Sequence, residues 1–444
     1  MNLLKLSFSY LKRRALNTLL NVLLLSFGIA TIVVLLLFSY QLEDNLYKNA
    51  EGVDAVVGAK GSPVQLILSG IFHIDAPTGN VNLKEARDLM NHPMVASAIP
   101  QALGDNYRGY RIVGTTSAYS NKYGAELAEG TLWDHEFEVV LGADVARNEE
   151  LGLGDVIVSS HGFAATGHTH DDHDLHVVGI FHRTGTVLDR LILTGVETMW
   201  GIHEPHTHEI AQADEDGHSH SHNHSHNHDD DNDNSPDGIE GHNHHHTHGR
   251  DITDTSYLGE EYDDEQITTM LIQYRNPLAA AQFPRFVNDN TSMQAAAPAI
   301  EITRLLNLLG VGLDAIQIFA YILILASVLG IFIALINSMK ERKYDLAIMR
   351  SLGGSRTKLF MHVILEGLLI SLAGGLLGIF LGHAAVEGIG IMFDEAQQFA
   401  VTGRIFIPGE AWIIALAAGI GLISSIVPAI QAYNTDIAKT LSKS

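Results

Sequence analysis

Residues Asn337–Phe360 read NSMKERKYDLAIMRSLGGSRTKLF and separate two long apolar runs. These runs, Ile316–Ile336 and Val363–Leu381, are each long enough to cross the hydrocarbon core of a bilayer. The separating segment holds two acids, Glu341 and Asp345. Its six basic residues are Lys340, Arg342, Lys343, Arg350, Arg356 and Lys358. Because short basic loops stay in the cytoplasm, the pattern predicts two membrane spans joined on the cytoplasmic side.

A short amphipathic helix is predicted inside this loop. Its apolar residues recur at roughly helical spacing and are Tyr344, Leu346, Ala347, Met349 and Leu352. Gly353 and Gly354 then interrupt the pattern, as glycine does at helix ends. Because the segment shows no catalytic side chains in a known arrangement, we interpret it as a surface that another protein grips.

Charge is unevenly distributed along the chain. The 444 residues include 27 Lys+Arg and 51 Asp+Glu, which gives a net charge of −24. Twelve of the 27 basic residues fall in the N-terminus, the loop and the C-terminal tail, and nearly all acids lie between the first two apolar runs. Since no large basic face remains, nucleic acid is excluded as a partner. The chain has no cysteine, which excludes disulfides and thiolate metal sites.

Hydropathy predicts an α-helical membrane protein with four transmembrane helices, at about Asn17–Tyr40, Leu313–Ile336, Phe360–His383 and Trp412–Ala432. The first 40 residues are assigned to an interfacial helix in contact with membrane lipid and to the first span. A large extracytoplasmic domain follows at 41–312. The second span is 313–338, the cytoplasmic loop 339–359 and the third span 360–383. An extracytoplasmic loop at 384–410, the fourth span at 411–432 and a cytoplasmic tail at 433–444 complete the assignment.

Four spans place both termini in the cytoplasm. A cleaved signal peptide is the alternative at the N-terminus. However, the apolar run is longer than the core of a signal peptide, and no small-residue cleavage site follows it.

Residues 41–312 are predicted to form an α/β (α+β) domain with a disordered insert at 204–264. A helix is expected at Leu83–Met90 with Asn82 as its N-cap. Strands are expected at Tyr110–Val113, Glu138–Leu141, Val156–Ser159, His176–Ile180, Leu191–Leu193 and Ile267–Tyr274. Helices are expected at Pro277–Val287 and Ala299–Leu309, and the second should continue into the second span as a stalk. The insert has almost no aliphatic residues, so it cannot bury a core.

Small residues recur every fourth position in the third and fourth spans. They are Gly374, Gly378 and Gly382 in the third span, and Ala415 and Gly419 in the fourth. Such stripes let helices approach closely in lipid, either within one bundle or between two chains. Glu366 is an acid near the cytoplasmic end of the third span, and we expect it to have a structural or coupling role.

Two further pairs of polar residues are expected to be structural. His362 and His383 flank the third span and are interpreted as interfacial residues. Asp189 and Arg190 are interpreted as an ion pair inside the domain.

Twenty of the 25 histidines lie between His161 and His248. The candidate metal ligands are His168, His170, His173, His176, His218, His220, His222, His224, His226, His228, His242, His244, His245, His246 and His248. Imidazole binds zinc, nickel or copper, and the neighbouring carboxylates add negative potential. We predict many overlapping sites of moderate affinity rather than one tightly bound cofactor, because ordering a flexible chain costs free energy. A solvated segment without purpose, a pH sensor and a catalytic zinc site are the alternatives.

The segment Glu341–Phe360, followed by Glu366-Gly367 and the glycine-bearing third span, resembles the FtsX-like (MacB-like) permeases of ABC transporters. The four-span layout with one large domain after the first span is similar to that family. The segments RGYRIVGT (Arg108–Thr115), EVVLGADVARNEELGLGDVI (Glu138–Ile157) and VVGIFHRTGTVLDRLILT (Val177–Thr194) resemble its extracytoplasmic domain. The resemblance covers nearly the whole chain except residues 204–264.

The resemblance implies a bacterial inner-membrane permease that works with a cytoplasmic ABC ATPase and a second permease, either another copy or a relative. It also implies that the loop helix couples to the ATPase and that Ala299–Gly312 is a stalk that drives the domain. The implied coupling residues are Arg342, Tyr344, Leu346, Met349, Arg350, Leu352 and Gly353. The chain is not predicted to be an enzyme, since its sequence holds no G-x-x-x-x-G-K-[ST] motif.

The histidine-rich insert departs from the family pattern. We therefore expect the permease to act in the handling of a divalent metal, with zinc as the first choice and a periplasmic metal-binding or adaptor protein as a further partner. Two alternatives stay open: a permease for lipoprotein release or small-molecule export in which the insert is incidental, and a non-transporting, membrane-anchored scaffold that binds metal.

Overall fold

The computed structural model describes residues 7–9, 11–12, 15–161, 169–203, 250–341, 351, 355–392 and 401–434, with the backbone alone at 161 and 169–173. The helices are, in chain order, α1 (Ala15–Ala50), α2 (Pro63–Gly70), α3 (Leu83–Met90), α4 (Ser117–Lys122), α5 (Ala143–Asn148), α6 (Val196–Gly201), α7 (Ala279–Asn290), α8 (Pro298–Glu341), α9 (Arg356–Met392) and α10 (Glu410–Tyr433). Short 3-10 turns cover Val187–Arg190, Ser256–Leu258 and Glu260–Tyr262.

The strands belong to the part of the chain between α1 and α8. They are β1 (Ala55–Ala59), β2 (Val81–Asn82), β3 (Val95–Tyr107), β4 (Tyr110–Thr115), β5 (Leu127–Gly130), β6 (Glu138–Leu141), β7 (Val156–His161), β8 (Thr169–Phe181), β9 (Leu191–Gly195), β10 (Gln266–Ile267), β11 (Thr269–Tyr274) and β12 (Met293–Ala296).

Four helices of the described chain, α1, α8, α9 and α10, are long and apolar enough to cross a membrane. The prediction of four spans is therefore confirmed by length and composition. Three of them, α1, α8 and α9, extend well beyond a bilayer core of about 30 Å. At about 1.5 Å per residue, α1 with 36 residues is about 54 Å long, and α8 with 44 residues is about 66 Å long. The predicted continuation of Ala299–Leu309 into the second span is confirmed, since α8 is a single helix.

A mixed sheet forms the centre of the domain. Among the described residues it has ten strands, in the order β12-β1-β11-β3-β4-β9-β6-β8-β5, with β7 paired to β3 and β8. Most neighbours are antiparallel, while β4 with β9 and β6 with β8 run parallel. The predicted α/β class is confirmed by this sheet and the helices packed on it.

Apolar side chains fill two cores of the domain. One core includes Ile112, Val139, Phe283 and the helix α3, whose residues Leu83, Ala86 and Leu89 point inward. The predicted cap of α3 is confirmed, because the Asn82 side chain accepts hydrogen bonds from the amides of Lys84 (3.0 Å) and Glu85 (3.3 Å). The other core includes Leu42 and Leu46 of α1 and Ile302 of α8. The ends of both long helices are thus part of the packed domain.

The expectation of disorder across 204–264 is wrong at its C-terminal end. In residues 250–264, Ile252 and Tyr257 are buried in the two cores, and Asp263 forms ion pairs with Arg87 (2.8 Å) and Lys84 (3.1 Å). Residues 204–249 lie outside the described part of the chain.

The 13-residue strand β3 was not predicted. It contains Pro100, Gly104, Asp105 and Asn106, which are typical of turns. Its strand geometry depends on pairing with β11, β4 and β7, which are distant in sequence.

Candidate functional site

Three glycines of α9 allow this helix to lie directly on α1. A Cβ atom built on each glycine would collide with an α1 side chain. The pairs and the distances are Gly374 with Leu25 (3.0 Å), Gly378 with Ile29 (2.8 Å) and Gly382 with Val33 (2.6 Å). Both sets repeat every four residues, so one helix face meets the other. The glycine stripe of the third span is therefore occupied by the first span of the same chain.

The fourth span uses a different glycine from the one the sequence pattern indicated. A Cβ atom on Gly419 would meet nothing within 4 Å. In contrast, Gly421 faces the backbone of Gly367, and a Cβ atom there would lie 2.8 Å from the Gly367 carbonyl oxygen. Within the chain, Gly421 and Gly367 make the close contact between the fourth and third spans, and contact of the Ala415 and Gly419 stripe with a second chain stays a prediction. The spacing alone does not show which of the two glycines faces the neighbouring helix.

Glu366 is buried at the end of the bundle that is remote from the domain. It lines a small cavity of about 20 Å³ together with Asn17, Asn21 and Ser338. These side chains come from α1 and α8, so Glu366 lies where three spans meet. Near it, His362 is buried and shares a hydrogen bond of 2.8 Å with the Ser7 hydroxyl. His362 is therefore packed inside the protein.

The two long helices also contact each other inside the bundle. A Cβ atom on Gly28 of α1 would lie 3.0 Å from Ile324 of α8, and one on Gly330 of α8 would lie 2.6 Å from Asn21 of α1. Nearer the domain, Leu46 of α1 and Ile302 of α8 are buried in the same core. The pair thus runs side by side from the membrane into the domain.

Both helices are connected to neighbouring strands of the sheet. Four residues separate the end of α1 from β1, and a single residue separates β12 from α8. The two strands pair antiparallel, with Val56 opposite Ala296. A displacement of α1 relative to α8 therefore acts on adjacent strands at one edge of the sheet.

A polar network holds the bundle together at the end facing the domain. Nδ1 of His383 lies 2.6 Å from the carbonyl oxygen of Gly403, and Nε2 lies 3.0 Å from a carboxylate oxygen of Glu410. Gln41 of α1 donates to the carbonyl of Thr402 (3.0 Å) and accepts from its amide (2.8 Å). His383 is buried between α9 and α10, and its position at the membrane interface stays a prediction.

Glu387 completes this network on α9. Its carboxylate accepts from the Thr402 hydroxyl (2.8 Å), the Gly403 amide (3.0 Å) and the Arg404 guanidinium (2.8 Å). Residues 402–404 are thereby attached both to α9 and to α1. Sequence reasoning missed these residues because each is an ordinary polar side chain near a predicted helix end.

The predicted coupling residues lie outside the described residues. These are Arg342, Tyr344, Leu346, Met349, Arg350, Leu352 and Gly353. Their assignment stays a prediction.

The candidate metal ligands are mostly beyond the described chain as well. His168, the histidines from His218 to His228 and those from His242 to His248 lie outside it, and His170 and His173 are described by backbone alone within β8. His176 is exposed on β8, beside the pairing partners Glu138 and Val156. Within the described ranges, histidine and acidic residues form no group of three suited to a metal ion.

His203 directly precedes the insert. It lines a cavity of about 460 Å³ with Trp200, Asp264 and Glu265. The side-chain hydrogen bond to Asp105 raises the pKa of His203 above its ordinary value. Nε2 of His203 lies 3.6 Å from that carboxylate, which is fully buried. The insert therefore begins beside a polar cavity that carries a protonatable histidine.

The predicted ion pair between Asp189 and Arg190 is wrong. Asp189 accepts hydrogen bonds from the Thr184 amide (2.7 Å) and the Gly185 amide (2.8 Å), and so shapes a turn. The Arg190 guanidinium instead lies over the Tyr110 ring, 5.5 Å from its centre.

Two family models match the chain. Residues 18–216 match the MacB-like periplasmic core domain, and residues 317–437 match the C-terminal region of FtsX-like permeases. The first match covers α1 and most of the sheet, and the second covers the membrane part of α8 together with α9 and α10.

The chain is also similar to two solved extracytoplasmic regions. The periplasmic region of MacB from Actinobacillus actinomycetemcomitans is 9% identical, with a TM-score of 0.32, over 59% of this chain and 97% of that one. The extracellular domain of the ABC-type transporter YknZ from Gram-positive bacteria is also 9% identical, with a TM-score of 0.28, over 54% of this chain and 97% of that one. No protein with a curated description matches the chain.

The order of domains defines a class: a multi-pass membrane protein in which a periplasmic core domain follows the first span and a permease region closes the chain. The chain belongs to the MacB-like and FtsX-like permeases of ABC transporters. Members of this family work with an ABC ATPase as a partner.

Proposed function

We propose that this permease converts ATP hydrolysis by a separate ATPase subunit into movement of its periplasmic domain, and that the movement serves the handling of a divalent metal, zinc in the first place. The single observation that carries the mechanical part is the continuity of α1 and α8. Each runs without a break from the membrane bundle to one of two paired strands of the domain.

Helix continuity supports transmission of force for a physical reason. A helix resists stretching and compression because backbone hydrogen bonds join each turn to the next, so a push along its axis at one end reaches the other. The glycine contacts keep α9 on α1, and the Gln41–Thr402 pair attaches the segment between α9 and α10 to α1. A push on the loop between α8 and α9 would therefore move the whole bundle and reach the sheet through α1 and α8.

The orientation follows from the basic segments. The loop at 337–360 and the two chain ends together hold 12 of the 27 Lys and Arg. We therefore place these segments in the cytoplasm and the domain in the periplasm. In this orientation, Arg342 to Gly353 would face the ATPase. A second permease, either another copy or a relative, would complete the transporter.

The metal part rests on composition. Histidine-rich sequence begins beside the cavity at His203, and 13 histidines fall in residues 204–249. Neutral imidazoles suit zinc, nickel and copper. A periplasmic metal-binding or adaptor protein would deliver or receive the ion. Export of a lipoprotein or small molecule is the second candidate, and it predicts that the histidines are dispensable.

The test is an ATP-dependent distance measurement on the full chain, purified from native membranes with its ATPase and reconstituted in nanodiscs. Because the chain has no cysteine, the substitutions Gln282→Cys and Asp314→Cys introduce the two thiols needed for spin labels. Gln282 is exposed on α7 of the domain, and Asp314 is exposed on α8.

We expect the distance distribution between these labels to shift when ATP is added and to return after hydrolysis. A hydrolysis-deficient ATPase should hold the shifted state. If no ATPase accompanies the chain, or if the distribution is the same with and without ATP, the proposed function is wrong.

A further inference from the structure

The end of α1 is held in the domain by a set of polar contacts around Asn49. The Lys122 ammonium donates to the Asn49 carbonyl at 2.9 Å, and the Tyr123 hydroxyl donates to the same oxygen at 3.3 Å. The Asn49 side chain accepts from the Val187 amide at 2.8 Å. We call Lys122, Tyr123 and Val187 around Asn49 the Lys122 clamp. A cation at the C-terminus of a helix also interacts favourably with the helix dipole.

The clamp is built on a buried, hydrogen-bonded part of the domain. Tyr119, one turn before Lys122 in α4, is fully buried and shares a hydrogen bond of 2.8 Å with the His73 ring. Lys122 itself lies 3.7 Å from the centre of the Tyr123 ring. Burial lowers the pKa of Lys122 to about 8, although Glu51 partly opposes the effect. A charged group is thus kept half-buried at one contact point.

A second contact fixes the rotation of α1 about its axis. Lys48 donates to the carbonyl of Gly185 at 2.9 Å, in the turn that Asp189 shapes through the amides of Thr184 and Gly185. The Val187 amide of the clamp belongs to the same segment. Two neighbouring residues of α1 are therefore attached to one rigid turn.

Helix α8 lacks comparable support just below the domain. Its first turn buries Pro298, Glu301 and Ile302, but Asn307 to Leu309 are exposed. A groove of about 480 Å³ lies where α8 leaves the domain beside α1, and it is lined by Tyr47 and Lys48 of α1 and by Ala299 of α8 among others. The helix thus has space beside it into which it can move.

Two glycines occur in this exposed part of α8. A Cβ atom on Gly310 or Gly312 would meet nothing within 4 Å, whereas one on Gly330 of the same helix would collide with Asn21. Packing within the chain therefore does not require glycine at 310 and 312. Glycine in the interior of a helix weakens it relative to alanine, and it is a common place for bending.

We propose that α1 and the domain move as one body, held by the Lys122 clamp, while α8 bends at Gly310 and Gly312. Lys122 is then a positioning residue and the two glycines are a hinge. This inference rests on the proposed function, since it states how the two helices share one ATP-driven movement. The domain would tilt about the end of α8 when α1 shifts.

The test uses two label pairs on the full chain with its ATPase. One pair, Tyr40→Cys with Gln282→Cys, reports α1 against the domain. The other, Asp314→Cys with Gln282→Cys, reports α8 below the glycines against the domain. In the otherwise unchanged chain, ATP should leave the first distance as it is and shift the second.

Three variants then separate the two elements. Lys122→Met should broaden the α1 distance and make it respond to ATP, while Lys84→Met, which removes an exposed lysine elsewhere in the domain, should not. The double change Gly310→Ala and Gly312→Ala should suppress the α8 shift. Each alanine lowers the population of a bent helix by about fivefold, as expected from the helix propensities of glycine and alanine.

The outcomes are distinguishable from a failure of the proposed function. If the unchanged chain shows no ATP-driven shift at either pair, the proposed function fails. A shift at the α8 pair that survives both alanine changes overturns the hinge, and an α1 distance that ignores Lys122→Met overturns the clamp. If the alanine changes instead abolish cross-linking between two copies of the chain, the glycines serve contact between copies and the hinge is wrong.

Discussion

Nε2 of His383 lies 3.0 Å from the carboxylate of Glu410, and both side chains are buried where α9 and α10 approach the domain. The other ring nitrogen, Nδ1, must donate to Gly403, because a carbonyl oxygen only accepts. The contact between Nε2 and Glu410 therefore contains a second proton, carried by either partner. Removing one partner leaves the other buried without its hydrogen bond.

A neutral hydrogen-bond donor at position 410 should preserve stability, whereas an apolar residue there should lower it. In Glu410→Gln, the amide can donate to Nε2 of His383 while its oxygen still accepts from the Ile407 amide, now 2.9 Å from Glu410. We expect a thermal unfolding midpoint close to that of the unchanged protein in detergent. Glu410→Ala should lower stability by about 1–3 kcal/mol, because two buried polar groups lose their partner. Equal midpoints for the two variants would contradict this role.

Alanine should have opposite effects at two glycines of the bundle. Gly378→Ala places a methyl group 2.8 Å from Ile29 and should destabilise the protein by about 1–3 kcal/mol. Gly419→Ala meets open space and should leave stability equal or raise it by up to about 1 kcal/mol. Unfolding in detergent measures both. Partial rescue of Gly378→Ala by Ile29→Ala would assign the loss of stability to this contact. A destabilised Gly419→Ala would contradict the open space beside Gly419.

Two arginines of the predicted coupling helix should be needed for communication with the ATPase. The double change Arg342→Ala and Arg350→Ala should abolish stimulation of ATP hydrolysis by the permease without affecting membrane insertion. The expected cause is loss of the charged contacts that a short exposed helix makes with its partner. Lys443→Ala, in the C-terminal tail, is the control and should stimulate normally. Unchanged stimulation in the double variant would remove this assignment.

Zinc binding should depend mainly on residues 204–249. Deleting them removes 13 histidines and should eliminate most of the zinc that the full chain binds in equilibrium dialysis. The deletion must stop before Arg250, because Ile252 and Tyr257 are buried and Asp263 pairs with Arg87. Substituting glutamine for the 13 histidines is the length-matched control and should have the same effect. If cells that carry the deletion grow normally under both zinc limitation and zinc excess, the insert is not needed for the function.

Acid should destabilise the domain through His73. Burial, followed by the charges of Arg111 and Lys122, lowers the pKa of His73 from 6.5 to about 3. The unfolded chain therefore binds a proton that the folded chain does not. The contribution of neutral His73 to the free energy of unfolding is fully present above pH 6.5. It decreases as the pH falls towards 3, by about 1.4 kcal/mol for each unit of the pKa difference.

The variant His73→Asn should flatten this dependence in thermal unfolding between pH 7 and 4. Asparagine is chosen because His73 has a φ of 54°, a left-handed conformation that asparagine tolerates. The control Tyr119→Phe removes the hydrogen bond to His73 but keeps the histidine, so its pH dependence should persist. Identical slopes for His73→Asn and the unchanged protein would exclude His73 as the cause.

Much of the architecture could be predicted from local sequence. Apolar runs define the four spans because a bilayer requires a minimum length of apolar helix, whatever the helix then contacts. The helix Leu83–Met90 and its Asn82 cap were predicted to the residue, since capping is local chemistry. Strand β6 at Glu138–Leu141 was predicted with equal accuracy because alternating or continuous apolar residues between turn residues favour strands.

The remaining features depend on contacts between distant residues. Only the tertiary structure shows that Gly378 meets Ile29, that Gly421 rather than Gly419 faces the third span, and that His383 is buried against Glu410. The same holds for the Lys122 clamp, which joins residues 73 positions apart. A spacing pattern specifies that a helix has a small or polar face, but the neighbour of that face is set by packing of the whole chain. The sequence by itself therefore determined the spans, the domain and the family resemblance, and the tertiary structure decided which side chains connect them.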